Sequence, residues 1–291
     1  MAKVTRKGKG SSGRPRCEAS GRGGKSTGRP LTRRQFLKIT AFGAAGLGAS
    51  AIGLGRVLPA GADGFDGAVV AEEKLLPPPY VAADTHHVLV GVVWDEAMVH
   101  KMLPPGVKPV KEMTGGINIY QANRGYFIAP YQTAYFWVDI EGLDSATGTK
   151  GRWMLQGVYG PEEKTARALR KFYGAPTRLG GSRIEETPDG TMRAVGILNG
   201  ENFVTVEIQP MRNSWQSITF CLKYLGRVGK SKKLTVFEAN GIGEFCPAEP
   251  ISVKVTAPGG GPFAALQPKK VLWAGELING AMALGNPLPA R

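Results

Sequence analysis

The segment Arg170-Lys171-Phe172-Tyr173-Gly174-Ala175-Pro176-Thr177-Arg178 ends the one long helix that the sequence predicts. The helix spans Pro161–Tyr173, because proline suits a first turn and basic residues suit the negative C-terminal end. Gly174 follows it and readily adopts the left-handed conformation at which many helices stop. We expect this helix to plug or cover a sheet.

Outward from the helix, runs rich in β-branched and aromatic residues alternate with turn residues, which predicts strands. A short helix is expected after the N-cap residue Asp95 and is stopped by Pro104-Pro105-Gly106. The predicted strands are His87–Trp94, Ile117–Gln121, Thr133–Ile140, Trp153–Val158, Arg193–Leu198, Phe203–Gln209, Trp215–Leu225, Leu234–Glu238, Ile251–Thr256 and Val271–Leu277. The sequence therefore predicts a single α+β domain over residues 84–291 that is mostly antiparallel β.

The positive charge of the chain is concentrated at its N-terminus. Residues 1–62 hold 13 Lys and Arg against the single acid Glu18, out of a total net charge of +14. The remainder is therefore close to neutral, and we expect no nucleic-acid partner.

The same N-terminal region carries an export pattern. Thr32-Arg33-Arg34-Gln35-Phe36-Leu37-Lys38 precedes a mildly apolar run over 39–58 and the small-residue site Ala60-Gly61-Ala62. This order resembles a twin-arginine signal peptide, so residues 1–62 predict export to the periplasm or outside the cell by the twin-arginine machinery. Five glycines and Arg56 disfavour the alternative, an uncleaved membrane helix. Residues 63–83 are predicted to be a proline-rich lead-in.

Two cysteines, Cys221 and Cys246, remain after the predicted signal. An even pair in an exported protein suits a disulfide, and two separate buried thiols are the alternative. The side chains of Asp84, His86 and His87 form the one cluster of metal-ligand types. Because adjacent histidines in a strand face opposite sides, we expect no metal site, and no pattern indicates a cofactor.

Two segments resemble the acetoacetate decarboxylase family. The first is Val92-Val93-Trp94-Asp95 running through a short helix into Met102-Leu103-Pro104-Pro105-Gly106, and the second is the segment 170–178. The resemblance covers roughly residues 80–280. It implies a closed or nearly closed barrel-like sheet with a lyase-like pocket for a small carbonyl or carboxylate compound, and we expect a homo-oligomer.

This sequence departs from the family at the residues that carry its chemistry. In the family, the first lysine after the proline forms a Schiff base and the second lowers its pKa, whereas Thr177 and Arg178 stand here. Thr133, two residues after Tyr131, replaces a glutamate. The resemblance therefore implies a pocket lined by Tyr131, Thr133, Thr177 and Arg178 in which the imine chemistry is not expected.

Other residues leave the question of catalysis open. Glu207 would be a general base if the polar side of its strand faced a barrel interior, although a solvated sheet face is the alternative. Lys223 would permit a relocated Schiff base if it were buried. The leading hypothesis is a protein that binds, or binds and transforms, a small carbonyl or carboxylate compound. The second is a non-catalytic binding or scaffold domain, and the third is a lyase with a relocated lysine. Convergence of Glu207 with Arg178 in one closed pocket would favour catalysis.

Overall fold

The computed structural model describes residues 74–128, 130–229, 233–256 and 263–290. These residues belong to one compact unit. The predicted signal over 1–62 and most of the predicted lead-in lie outside them. Within the described ranges, no helix has both the length and the apolar character needed to cross a bilayer.

Strands dominate the described part of the chain, which confirms the predicted fold class. The helices are α1 (Glu96–Met102) and α2 (Glu163–Ala168), and α2 continues into a π-helical turn at Leu169–Tyr173. The strands are β1 (Tyr80–Val93), β2 (Thr114–Tyr126), β3 (Tyr131–Ile140), β4 (Gly151–Gly160), β5 (Thr177–Leu179), β6 (Gly181–Glu186), β7 (Met192–Leu198), β8 (Glu201–Pro210), β9 (Gln216–Val228), β10 (Lys233–Val255), β11 (Lys270–Leu284) and β12 (Leu288–Pro289). β1 thus begins within the predicted lead-in.

Seven of these strands form a nearly closed ring. Their order is β11-β1-β2-β3-β4-β9-β10, and β10 pairs again with β11. Neighbours in the ring are antiparallel except at the short parallel seam between β4 and β9, where Arg152 lies opposite Tyr224 and Trp153 lies opposite Leu225. The barrel-like sheet expected from the sequence is therefore confirmed.

Strand β10 belongs to both the ring and a second layer. Its first part pairs with β9 and β11, and its last part, from Ala248 to Val255, pairs with β8. β8, β7 and β6 then extend the sheet away from the ring. The sequence predicted two separate strands here, because Pro247 and Pro250 interrupt the pattern. A register shift between Pro250 and Ser252 absorbs this interruption within one strand.

Alternate residues of β3 supply two different apolar cores. Phe136 and Val138 join the core between the ring and the layer β6–β8, whereas Tyr131 and Tyr135 join the core inside the ring. Successive side chains of a strand point to opposite faces, so one strand can serve both. The inner core is rich in tyrosine, and it surrounds the site described below.

The predicted long helix covers the sheet, as expected, but its second half is a π-helical turn. α2 and this turn lie against β4, β5 and β9. Gly174 ends the turn with a φ of 66°. A Cβ atom on Gly174 would lie 2.3 Å from the backbone nitrogen of Arg227, so a side chain at this position would separate the turn from β9.

Candidate ligand-binding cavity

The interior of the ring contains a cavity of about 200 Å³. All seven ring strands contribute to its wall, together with Leu169 and Ala175 from the helical segment. Its polar lining consists of one histidine, one asparagine, one arginine and five tyrosines: His87, Asn118, Arg152, Tyr120, Tyr131, Tyr135, Tyr159 and Tyr224. Among the described residues that line it, there is no lysine and no carboxylate.

His87 is buried in the wall and is held as a neutral ring. Its Nδ1 lies 3.2 Å from Oδ1 of Asn118, and its Nε2 lies 2.8 Å from the hydroxyl of Thr85. Because an amide oxygen only accepts, Nδ1 carries the proton and Nε2 accepts from Thr85. Burial, together with a smaller effect of the nearby His86, lowers the pKa of His87 to about 3. Both ring nitrogens are therefore occupied by protein groups at neutral pH.

A chain of hydrogen bonds continues from Asn118 to the opposite side of the ring. The Nδ2 group of Asn118 donates to the hydroxyl of Tyr135 over 3.1 Å, and the hydroxyls of Tyr135 and Tyr224 are 2.9 Å apart. Nη1 of Arg152 donates to the Tyr224 hydroxyl over 3.4 Å. Burial raises the pKa of Tyr135 well above its usual range, so its hydroxyl stays protonated.

The hydrogen count leaves one donor of this chain without a partner. Tyr135 and Tyr224 have two phenolic protons, and the bond between them uses one. The other neighbours of these hydroxyls, Asn118 and Arg152, are N–H donors and cannot accept a proton. Among the described residues, one phenolic proton is therefore left to donate to a ligand oxygen.

A second pair of tyrosines repeats this arrangement. The hydroxyls of Tyr120 and Tyr131 lie 2.7 Å apart, and the Tyr120 ring stacks on His87 with centroids separated by 4.3 Å. Burial raises the pKa of both phenols. The pair shares one proton between its oxygens, so its other proton is also available to an acceptor oxygen in the cavity.

Arg152 supplies the positive charge of the cavity. Its side chain is 12% exposed, its Nε lies 4.0 Å from Oδ1 of Asp139, and its guanidinium lies over the Trp137 ring at 4.4 Å. Asp139 is fixed in turn by the hydroxyl of Thr114 and by Nε1 of Trp137. Within the described chain, Nε of Arg152 has no hydrogen-bond acceptor. Asp139 and Trp137 thus orient the guanidinium, which retains N–H donors for a carboxylate or carbonyl oxygen.

The structure places the four pocket residues expected from the sequence at different locations. Tyr131 lines the cavity, whereas Thr133 is fully buried on the same face of β3 and does not belong to the cavity wall. Thr177 is buried instead beneath α2, where its hydroxyl donates to the carbonyl of Ala166 over 2.8 Å. Arg178 is exposed to solvent on β5. The expectation that Arg178 supplies the cation of the cavity is therefore corrected, because Arg152 has that position.

The other two catalytic candidates lie outside the ring. Glu207 is on β8, where its carboxylate accepts from Ser252 over 2.9 Å and lies 3.7 Å from Arg193. Lys223 lies opposite Glu238 in the pairing of β9 with β10. Its neighbours Leu222 and Tyr224 line the cavity, so strand alternation directs Lys223 to the outer face. Neither Glu207 nor Lys223 meets Arg178, and the convergence that would have favoured catalysis is not found.

The two cysteines of the domain are free thiols. Cys221 lies opposite Asn240, and Cys246 is six residues further along β10. Six residues of a strand span about 20 Å, which far exceeds the Cα separation of a disulfide. Of the two alternatives that the sequence left open, a disulfide and two separate thiols, the structure therefore has the two separate thiols.

The adjacent histidines face opposite sides of β1, as predicted. His86 lies outside the cavity, where Nε2 is 2.8 Å from the buried carboxylate of Glu276. No three His, Cys, Asp or Glu side chains of the described residues cluster closely enough to hold a metal ion.

Solved structures share this architecture. Acetoacetate decarboxylase from Legionella pneumophila superposes with a TM-score of 0.60 at 12% identity, over 74% of this chain and 88% of that one. The chain has an acetoacetate decarboxylase-like fold. An acetoacetate decarboxylase-like enzyme from Sphingomonas wittichii matches with a TM-score of 0.54 at 13% identity, over 80% of this chain and 100% of that one.

A third similar structure was solved with a ligand. The enduracididine biosynthesis enzyme MppR, complexed with pyruvate, matches with a TM-score of 0.55 at 13% identity, over 79% of this chain and 98% of that one. No protein-family model and no curated protein matches the chain. A structural match at such low sequence identity establishes the fold alone, and function has to be argued from the residues of the site.

Sequence reasoning missed most of the polar groups in this cavity. Arg152 stands at the start of β4, and Tyr135 and Tyr224 lie within strands that were predicted correctly. The available signal was a row of alternating polar or aromatic residues, such as Tyr131, Thr133 and Tyr135, in an otherwise apolar strand. Sequence alone could not show that these strands face one another across a ring.

Proposed function

We propose that this protein is exported and binds a small carbonyl or carboxylate compound inside the ring without forming an imine. The observation that carries the proposal is the set of unused donors around one cavity, namely the guanidinium of Arg152 and two phenolic protons. Oxygen acceptors are the complementary chemistry. The pyruvate complex of MppR, which has the same fold, supports this ligand class.

The lining favours a ligand that is not attached through nitrogen. An imine requires an amine, and the described cavity wall has none. Thr177, which replaces the lysine of the family, is buried beneath α2 rather than in the wall. Lys223 belongs to the outer face of β9. A lyase with a relocated lysine is therefore the weakest of the three hypotheses.

The same lining favours binding over catalysis. A general base needs a free lone pair and a pKa near the working pH. Nε2 of His87 already accepts from Thr85, and the pKa of His87 is lowered to about 3. The phenols of the cavity are protonated donors, which stabilise a negative oxygen but do not remove a proton. We therefore take the non-catalytic binding protein as the leading version of the proposal.

Binding is tested by calorimetry with pyruvate, acetoacetate and benzoate on the purified mature chain. Arg152→Gln should weaken the best ligand about 10- to 100-fold, because a hydrogen bond to a charged group contributes about 1.5–3 kcal/mol. The matched control is Arg178→Gln, which removes an exposed guanidinium and should change the affinity less than about twofold. Equal losses in the two variants would contradict the assignment of the site.

A second pair of variants tests the site independently, in case Arg152→Gln does not fold. Tyr224→Phe removes a hydroxyl from the cavity and should weaken binding about 5- to 10-fold, in line with one hydrogen bond. Tyr126→Phe removes a hydroxyl from a side chain that is 52% exposed and should have no effect. No measurable binding of any of the three compounds to the folded wild type would overturn the proposed function.

The imine and export parts of the proposal have separate tests. Borohydride treatment with pyruvate should leave the intact mass unchanged, whereas a trapped adduct would identify a reactive lysine and overturn the imine-free binding mode. Export predicts that the mature N-terminus follows Ala62 and that Arg33→Lys together with Arg34→Lys retains the precursor inside the cell. Mature protein outside the cytoplasm in that double variant would contradict the twin-arginine route.

A further inference from the structure

The part of the cavity wall that β9 forms is polar at one end and apolar at the other. Along β9, Tyr224, Leu222, Phe220 and Ile218 all face it, and these four positions span about 20 Å. Tyr224 is 5% exposed, whereas the other three are half-buried. On β9, therefore, the hydrogen-bonding residue is at the more buried end of the wall, and the apolar side chains approach solvent.

Three aromatic rings without a hydroxyl group also line the cavity: Phe220, Phe245 and Trp273. Each ring lies against a glycine of a neighbouring strand. A Cβ atom would come within 2.3 Å of the Phe220 ring at Gly241, within 2.3 Å of the Phe245 ring at Gly275, and within 2.0 Å of the indole at Gly91. The glycines leave room for the rings to lie close to the sheet.

The size of the cavity suits a ligand of about one ring. An apolar protein cavity of about 150 Å³ accommodates benzene. The present cavity of about 200 Å³ adds room for a few further atoms. A carboxylate or carbonyl at the more buried end and a six-membered ring toward Phe220 would fill it.

We infer that the ligand is a single-ring aromatic carboxylate or aryl carbonyl compound. Its oxygens lie at Arg152 and at the hydroxyls of Tyr135 and Tyr224. Its ring lies among Phe220, Phe245 and Trp273. This inference rests on the proposed function and narrows its ligand class. Aromatic rings prefer edge-to-face or offset contacts with one another, and such contacts strengthen an interaction beyond the area they bury. A planar aromatic ring is therefore favoured over an aliphatic ring of equal size.

The test compares benzoate with cyclohexanecarboxylate, which has the same carboxylate and number of carbon atoms. Calorimetry on the wild type should show benzoate binding at least about fivefold tighter, in line with a few aromatic contacts. Phe220→Leu and Trp273→Leu should each weaken benzoate more than cyclohexanecarboxylate and so reduce that ratio toward one. Phe127→Leu, at a side chain that is 40% exposed and absent from the cavity wall, is the matched control and should keep the wild-type ratio.

The outcomes separate this inference from the proposed function. Equal affinities for the two acids, or binding of pyruvate but of neither ring compound, would overturn the inference and leave the binding function standing. An unchanged ratio in both leucine variants would also overturn it, because the preference would then arise elsewhere. Absence of binding for all the carboxylates would overturn the proposed function itself.

Discussion

The burial of His87 predicts that the domain loses stability in mild acid. Its ring is 3% exposed, stacks on Tyr120, and makes hydrogen bonds to Asn118 and Thr85 through its two nitrogens. Protonation would place a charge in this apolar wall and would turn Nε2 from an acceptor into a donor. The native state therefore resists protonation, whereas the unfolded chain takes up the proton at its ordinary pKa of 6.5.

The sign and size of the effect follow from the two pKa values. Because the folded pKa of His87 is lowered to about 3, its contribution is fully present above pH 6.5 and is lost as the pH falls toward 3. Each pH unit in that window costs about 1.4 kcal/mol. Between pH 7.0 and pH 4.5, the free energy of unfolding should fall by about 2.5 kcal/mol through this residue alone.

Urea unfolding at the two pH values, followed by tryptophan fluorescence, measures this fall. The variant His87→Gln cannot titrate in this range, so its loss between pH 7.0 and 4.5 should be smaller than that of the wild type by about 2.5 kcal/mol. His100→Gln replaces a histidine that is 56% exposed and should behave like the wild type. If His87→Gln lost as much stability as the wild type, the assignment of a buried neutral imidazole would be refuted.

Three further predictions concern the frame around the cavity. In chemical denaturation, Gly174→Ala should lower the free energy of unfolding by more than about 2 kcal/mol, because it adds a backbone clash to a left-handed φ. The control is Gly142→Ala, whose Cβ atom meets no neighbour, and it should lower the free energy of unfolding by only about 1 kcal/mol. Thr177→Val should lower the free energy of unfolding by about 1 kcal/mol, because it removes the hydrogen bond from the Thr177 hydroxyl to the carbonyl of Ala166. Calorimetry should show ligand affinity unchanged within about twofold, and a large affinity loss would return Thr177 to the site. Alkylation of the unreduced, denatured mature protein should add two groups by mass, at Cys221 and Cys246, and none would indicate a disulfide.

Local sequence patterns were sufficient for most secondary-structure elements. Asp95 accepts from the backbone N–H of Met98, as an N-cap residue should, and Gly174 ends the helical segment in the left-handed region. The alternation of apolar and polar residues located most strands, because each strand buries one face. These signals depend only on neighbours in the chain, so they can be read before the fold is known.

The site could be predicted only in part, because it depends on residues that are distant from one another in the chain. The resemblance near Pro176 identified the fold, and it located Tyr131 correctly in the cavity wall. It also assigned Arg178 to that wall, although β5 presents this residue to solvent. Strand alternation gives two faces, but only the closure of the ring decides which of them is inside.

The sequence by itself determined the fold class and the turn and cap positions. Only the tertiary structure decided that Arg152, Tyr135 and Tyr224 meet in one cavity, that Glu207 and Lys223 lie outside it, and that the two thiols are far apart. The physical reason is that helix ends, turns and strand periodicity are set by contacts within a few residues. A cavity, by contrast, is set by the pairing of strands that are up to about two hundred residues apart in the chain, such as β1 with β11.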